Sequence, residues 1–263
     1  MTDDDLRFTV LGSASPYPRP ENPCSGYLVQ GAGTRLWLDA GSGTLGPLRA
    51  HVRLDELDGI WISHLHADHC ADLLTAYYGL LYADLEPAAP VPLFGPPGIA
   101  DRLAGFLTNG PRRSPVEDAF RVVELHDHHR TRVGGLTLTS REMAHGMPAF
   151  GVRIETGDGT VLAYSGDTAP CEALTALADD STALLCEADS AQPAPPGTEA
   201  VHHTPEQAGT TATTAGTHRL ILTHLGPSLD PTTATTRAGT HYEGPVDYAA
   251  PGHTFRLRAS SEA

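Results

Sequence analysis

The 263-residue sequence has no lysine: all 17 basic residues are arginine, set against 32 acidic ones, for a formal net charge of −15. Such a surface repels nucleic-acid phosphates, so a long polyanionic partner is disfavoured whereas a small anionic substrate is not. The densest basic stretches, Arg112-Arg113 and His126 to Arg132, form no convincing stripe. Cysteine is scarce. Cys24, Cys70, Cys171 and Cys186 show no CxxC spacing, which argues against a disulfide framework. No apolar run approaches 18 residues, so no membrane span is expected. The first ten residues, MTDDDLRFTV, carry neither the basic region nor the apolar region of a secretory signal. A cytoplasmic location is the resulting expectation.

What the chain does have is a dense cluster of ligand-type side chains, His64-Leu65-His66-Ala67-Asp68-His69. On an extended segment His64 and His66 point the same way, and a turn is then needed to bring Asp68 and His69 to the same space. That arrangement suits two metal ions side by side. The cluster follows an apolar run, Leu57 to Ile62, and precedes a helical pattern over 71–83 with Leu73, Leu74, Tyr77, Leu80 and Leu81 on one stripe. A strand end opening into a helix is where α/β folds place their sites. The stripe reads as core rather than substrate contact, and Cys70 as a small packing residue. Arg112 and Arg113 read as a solvated loop.

Strands are expected at 6–12, 26–30, 35–39, 57–62, 91–94, 120–125, 135–140, 150–154, 160–164, 183–186, 219–223 and 253–258. Helices are expected at 46–53, 71–83, 98–107, 170–178 and 205–215, with 87–97 a proline-rich connection and 226–240 a Thr- and Pro-rich stretch. Hairpin-rich β segments and βα units occur in both halves. That pattern predicts two mixed sheets packed face to face with helices outside, in one domain spanning 1–263. A TIM barrel is the alternative, and the hairpins near both ends argue against it.

Three further candidate ligands stand at or just past the ends of expected strands: His145, Asp167 in Ser165-Gly166-Asp167-Thr168, and His224 after Thr223. With 64–69 they repeat one positional theme. Together these motifs resemble the metallo-β-lactamase superfamily, and the resemblance implies its αββα sandwich across nearly the whole chain. Two further segments are similar to the ribonuclease Z-like branch. His202-His203-Thr204-Pro205 resembles its HST motif, and Cys186-Glu187-Ala188 its HEAT motif, with Cys in place of His. Gly12-Ser13, Cys24-Ser25-Gly26-Tyr27 and Asp39-Ala40-Gly41 match that branch's early strands.

The resemblance implies two zinc ions, with manganese or iron also suited to imidazole and carboxylate donors. His64, His66 and His145 would hold the first, Asp68, His69 and His224 the second, and Asp167 would bridge them beside a hydroxide. Asp68 and His202 would take catalytic parts, His202 by protonating the leaving alkoxide. Glu187 would orient His202, and Asp39 would support the metals from behind. A homodimer is implied on the same ground.

Ribonuclease Z carries a long tRNA-gripping arm. Here only residues 146–166, 21 in all, separate His145 from Asp167 and read as a tight hairpin. The sequence therefore points to a metal-dependent hydrolase of a small phosphodiester, cyclic nucleotide-like, attacked by the bridging hydroxide. A lactone, thioester or amide hydrolase is the alternative. A tRNA 3′-processing endonuclease and a non-catalytic metal-binding protein are further ones.

Overall fold

The computed structural model describes residues 5–83 and 89–259. Residues 87–88 of the proline-rich connection and the first four residues of the N-terminal segment lie outside that description, as do 260–263. Fourteen strands form two sheets of seven. The first sheet contains β1 (Arg7–Gly12), β2 (Gly26–Gly31), β3 (Thr34–Ala40), β4 (Gly59–Trp61), β5 (Val91–Gly95) and β6 (Phe120–Glu124). The second contains β7 (His129–Val133), β8 (Leu136–Glu142), β9 (Phe150–Glu155), β10 (Val161–Tyr164), β11 (Ala183–Ala188), β12 (Leu220–Leu225) and β13 (Val246–Tyr248). The last strand, β14 (Thr254–Arg256), returns to the first sheet and pairs with β1.

Each sheet has the same internal logic. Strands β14-β1-β2-β3 are antiparallel and β3-β4-β5-β6 parallel. Strands β7-β8-β9-β10 are antiparallel and β10-β11-β12-β13 parallel. Hairpins build one side of each sheet and crossovers through helices the other, as the alternation of signals along the chain requires.

Alternation along the strands divides the apolar residues among three cores. Leu36 and Leu38 of β3 face the space between the sheets, with Phe8, Tyr27, Trp61, Ile154, Tyr164, Leu185, Ile221 and Phe255. Trp37, between them in sequence, points the other way. It packs with Ile60, Leu93 and Phe120 against α3 (Leu73–Tyr82) and α4 (Ile99–Leu107). Leu184, Cys186, Leu220 and Leu222 face the opposite outer layer, which holds α6 (Glu172–Leu177), α7 (Pro205–Thr214) and α8 (Pro231–Ala238). The order of layers is thus helix, sheet, sheet, helix, as expected. No helix among the described residues is long and apolar enough to cross a membrane.

Several boundaries differ from the expectation. The helix expected at 71–83 is α3, two residues shorter at its start, and an unexpected short helix, α2 (Ala67–Cys70), precedes it where the chain turns after His66 to bring Asp68 and His69 inward. The helix expected at 46–53 stops early as α1 (Leu45–Arg49), followed by a 3₁₀ turn at Leu54–Glu56. Strand β7 was hidden in charged His126–Arg132, and a short helix, α5 (Val116–Ala119), precedes β6. In the Thr-rich stretch, α8 starts at Pro231 behind Asp230, whose carboxylate accepts from the Thr233 N–H at 2.9 Å. Aspartate at the cap and proline in the first turn are strong start signals.

Gly41 lies where β3 passes the metal-ligand loop. A Cβ there would come within 2.1 Å of the Asp68 carbonyl oxygen and 2.6 Å of that of Ser25, both backbone atoms that cannot swing aside. Gly41→Ala is expected to destabilise the fold by about 1–3 kcal/mol, the range for overpacking, and to lower metal content by displacing Asp68. Unfolding by urea together with elemental analysis would check this; wild-type values on both counts would contradict it.

Candidate metal centre

The loops after β4, β8, β10, β11 and β12 bring the ligand-type side chains to one end of the two sheets. His64 and His66 follow β4, and Asp68 and His69 lie in α2. His145 comes after β8, Asp167 after β10 and His224 in β12. Gly166, at φ 57°, turns the chain just ahead of Asp167; a Cβ there would fall 2.7 Å from the Phe150 carbonyl oxygen.

Two groups of donors result. Atoms of His64, His66, His145 and Asp167 lie within 4.8 Å of one another, and so do those of Asp68, His69 and His224. His66 Nδ1 stands 3.0 Å from His64 Nε2 and 3.3 Å from His145 Nε2. Asp167 spans both groups, with Oδ2 at 3.5 Å from His64 Nε2 and 3.3 Å from His224 Nε2, and Oδ1 at 3.2 Å from His69 Nε2. Asp68 Oδ2 is 3.7 Å from His69 Nε2 and 3.8 Å from His224 Nε2.

The ring nitrogens facing away are nearly all engaged. His69 Nδ1 donates to Asp39 Oδ2 at 2.7 Å, and His145 Nδ1 to the Val201 carbonyl at 3.0 Å. His64 Nδ1 meets Ser63 Oγ at 3.0 Å, and His224 Nδ1 meets Ser25 Oγ at 2.8 Å. Such partners fix the tautomer and aim the other nitrogen's lone pair into the cluster. Two buried atoms are left facing each other without a hydrogen bond, His69 Nε2 and Asp167 Oδ1. With its Nδ1–H donating to Asp39, a neutral His69 presents a lone pair at Nε2, so both atoms are then acceptors. Buried opposed lone pairs are unfavourable unless a cation lies between them, so the donor set fits divalent metal.

Electrostatics point the same way. Burial opposes a charge on His69, but Asp167 and Asp39, one at each ring nitrogen, outweigh it and hold its pKa well above the usual value, so the surroundings of His69 Nε2 favour positive charge, which a proton or a metal cation supplies in turn. Burial pushes His224 down to about 4 and His64 well below its ordinary range, so both stay neutral and free to ligate. Burial alone would raise Asp167; His224, His69 and His64 around it reverse that and keep it ionised.

Asp39 and His224 have a feature the sequence does not announce. Both adopt left-handed backbone, φ 54° and φ 50°. Each is the extra residue of a β-bulge: Asp39 falls between Leu38 and Ala40 in the β2–β3 register, and His224 between Thr223 and Leu225 in the β11–β12 register. A bulge re-aims a side chain at a strand end, and here it turns both residues from the sheet faces into the site.

His202 joins the cluster from the loop ahead of α7. Thr204 caps that helix: its Oγ accepts from Gln207 N–H at 3.3 Å while Gln207 Oε1 accepts from Thr204 N–H at 2.8 Å. His203 is a strut, fully buried, with Nδ1 donating to the Thr168 carbonyl at 2.7 Å and Nε2 3.2 Å from Thr211 Oγ. His202 Nδ1 donates to Glu187 Oε1 at 2.8 Å and lies 4.0 Å from Asp167 Oδ2. Asp167, Glu187 and His202 form a third close group, but the His202–Glu187 bond already occupies it. Glu187 also accepts from Thr168 N–H at 3.0 Å and Asp189 N–H at 2.9 Å. Burial raises Glu187 to about 7 despite His202. Burial lowers His202, but Glu187 more than reverses it, to about 9, so the shared proton sits on the imidazole at neutral pH.

Other singled-out residues lie elsewhere. Cys70 and Tyr77 pack into the helix layer over the first sheet, and Cys186 is buried under α7. Arg112 is exposed. Sequence reasoning missed Ser25, Ser63 and the Val201 carbonyl, which orient candidate ligands, and Tyr164, which holds Asp39.

Residues 34–225 match a family model described as a beta-lactamase superfamily domain. The chain is 34% identical over 257 residues to an uncharacterized protein of Mycobacterium tuberculosis, covering 96% of this chain and 93% of that one. It is 30% identical over 249 residues to a ribonuclease Z of a Mycobacterium species, covering 86% of each. Among solved structures, the metallo-beta-lactamase fold protein YhfI of Bacillus subtilis superposes with a TM-score of 0.83 at 24% identity, over 96% of this chain and 99% of that one.

Elemental analysis of protein purified without chelator is expected to give about two divalent metals per chain, and Asp167→Asn well under one. Stripping the metals should lower Tm by about 5–10 °C, since ligand at about 100-fold over Kd contributes roughly 2.7 kcal/mol to a chain of this size. An unchanged Tm and no bound metal would contradict the assignment.

Proposed function

The chain belongs to the metallo-β-lactamase superfamily, in its ribonuclease Z-like branch, and from that premise we propose that it is a single-domain dinuclear-metal phosphodiesterase acting on a small, cyclic nucleotide-like phosphodiester. The observation that carries this reading is the His202–Glu187 pair beside the donor cluster. When bound, zinc or a similar metal held by His64, His66, His145, Asp167, Asp68, His69 and His224 would supply Lewis acidity toward phosphoryl oxygens and activation of water.

The chain's own residues do the rest. Asp39, Ser63, Ser25 and the Val201 carbonyl hold the imidazoles in one tautomer, so no reorganisation is needed as charge develops. Water's oxygen forms a bond to phosphorus as one of its O–H bonds gives a proton up to solvent, and the bond from phosphorus to the leaving oxygen breaks. His202, charged at neutral pH, gives a proton to that oxygen as it departs. Its Nδ1 is held by Glu187, and Nε2, with no protein partner among the described residues, is the nitrogen available to donate. The products are a phosphomonoester and an alcohol. His66, Asp68, Asp167, His202 and His224 line a cleft of about 330 Å³, at the lower end for small-molecule sites. In place of a gripping arm, residues 146–166 hold the antiparallel pair of β9 and β10. Both features support a small substrate over tRNA.

His202→Ala is expected to slow hydrolysis of an alkyl diester by about 10²–10⁴-fold, the usual worth of general acid catalysis. Bis-p-nitrophenyl phosphate, whose leaving group needs no proton, should lose far less, with metal content unchanged. Equal losses on both substrates would remove the proton-donor role. Faster turnover of a lactone, a thioester or a tRNA precursor, with zinc or manganese reconstituted, would overturn the substrate class.

Glu187→Gln tests the pair through pH. A general acid is active while protonated, so activity falls as pH rises through its pKa. Since Glu187 holds His202 up at about 9, its removal should move the alkaline limb of kcat toward the ordinary imidazole range. A limb that stays in place would show that Glu187 does not tune the donor.

A further inference from the structure

The wall of the cleft beside His202 holds a second polar group that the proton-donor scheme leaves unused. Asp189 and Ser15 line the same cleft as Asp167, His202 and His224. Asp189 follows the Cys186-Glu187-Ala188 segment and is half-buried; Ser15 is buried. Ser15 Oγ donates to Asp189 Oδ1 at 2.6 Å. Oδ2 of Asp189 has no hydrogen-bond partner among the described residues.

Position is what makes this carboxylate informative. Glu187 uses its two oxygens on two neighbours: Oε1 accepts from His202 Nδ1 at 2.8 Å and Oε2 from Asp189 N–H at 2.9 Å. One buried side chain therefore sets the spacing of proton donor and carboxylate along the same wall. Ser15, arriving from the opposite sheet, fixes the Asp189 rotamer. A carboxylate so placed accepts hydrogen bonds and repels anions, and no arginine is among the residues lining the cleft. It is unsuited to a second phosphate and suited to a hydroxyl.

Resting on the phosphodiesterase reading above, we infer that Asp189, braced by Ser15, receives a hydroxyl on the carbon next to the leaving oxygen. The enzyme would thus select phosphodiesters whose leaving alcohol is half of a vicinal diol, as ribose provides. The leaving oxygen meets His202 while the neighbouring hydroxyl donates to Asp189.

The test compares 3′,5′-cyclic AMP with its 2′-deoxy analogue, which lacks only that hydroxyl, on metal-loaded enzyme. Wild type should prefer the ribose form by about tenfold or more in kcat/KM, the low end for a hydrogen bond to a charged acceptor. Asp189→Ala should bring the ratio to within about twofold, and Asp189→Asn, whose amide oxygen still accepts, should fall between. No preference in wild type, or a preference that Asp189→Ala leaves intact, overturns the inference. Should the alanine variant not fold, the wild-type ratio and the asparagine variant still decide. Failure of the wild type to cleave bis-p-nitrophenyl phosphate would instead sink the phosphodiesterase reading, and this inference with it.

Discussion

A fully buried carboxylate, Asp39, is the constraint around which the site is built. An isolated carboxylate removed from water is very costly, and this one is compensated by four donors drawn from two other parts of the chain. Ser63 gives its N–H (2.7 Å) and its hydroxyl (2.8 Å), Tyr164 its phenol (2.7 Å) and His69 its Nδ1–H (2.7 Å). Asp39 belongs to the first sheet, Tyr164 to the second, and Ser63 and His69 to the ligand segment. Satisfying one charge therefore fixes the docking of the two sheets and the course of residues 63–69 together. The left-handed bulge that carries Asp39 is retained because this network over-determines it.

The same economy runs outward from the centre. Ser63 passes the constraint to His64, Asp39 orients His69, and His69 faces Asp167, which spans both donor groups. Asp167 lies near His202, and Glu187 spaces His202 from Asp189. The chain of contacts leads from the inter-sheet core, through the candidate ligands, to the proposed proton donor and the cleft wall. Partners of this kind limit the freedom of imidazoles before a metal arrives, which is what preorganisation requires.

Charge distribution supports the proposed small substrate over a nucleic acid. The chain is strongly acidic and lysine-free, its cleft is lined by three aspartates without an arginine, and residues 146–166 stay within the interior strands β9 and β10 and their turns. On the proposed reading, such a site accepts one phosphate of a small diester while a carboxylate stands next to it.

Much of this was legible in the chain itself. Seven ligand-type residues and Glu187 stood at or near strand ends, His202 stood just ahead of an expected helix, and a continuously apolar run such as Leu36-Trp37-Leu38 is what a strand covered on both faces requires. The helix at 231–238 was missed although Asp230 and Pro231 signalled it, because a Thr-rich run lacks an apolar stripe. The bulges at Asp39 and His224 were invisible, since neither is the glycine or asparagine that usually marks left-handed backbone. Ser25, Ser63, Tyr164 and Asp189 were equally silent, being ordinary polar residues that each have a partner far away in sequence. The sequence by itself determined which chemistry the chain can carry, because ligand types and their local spacing are covalent facts. Only the tertiary structure decided how those groups are aimed, because tautomer, bulge and rotamer are set by hydrogen bonds between the two sheets that exist only once the sheets have packed.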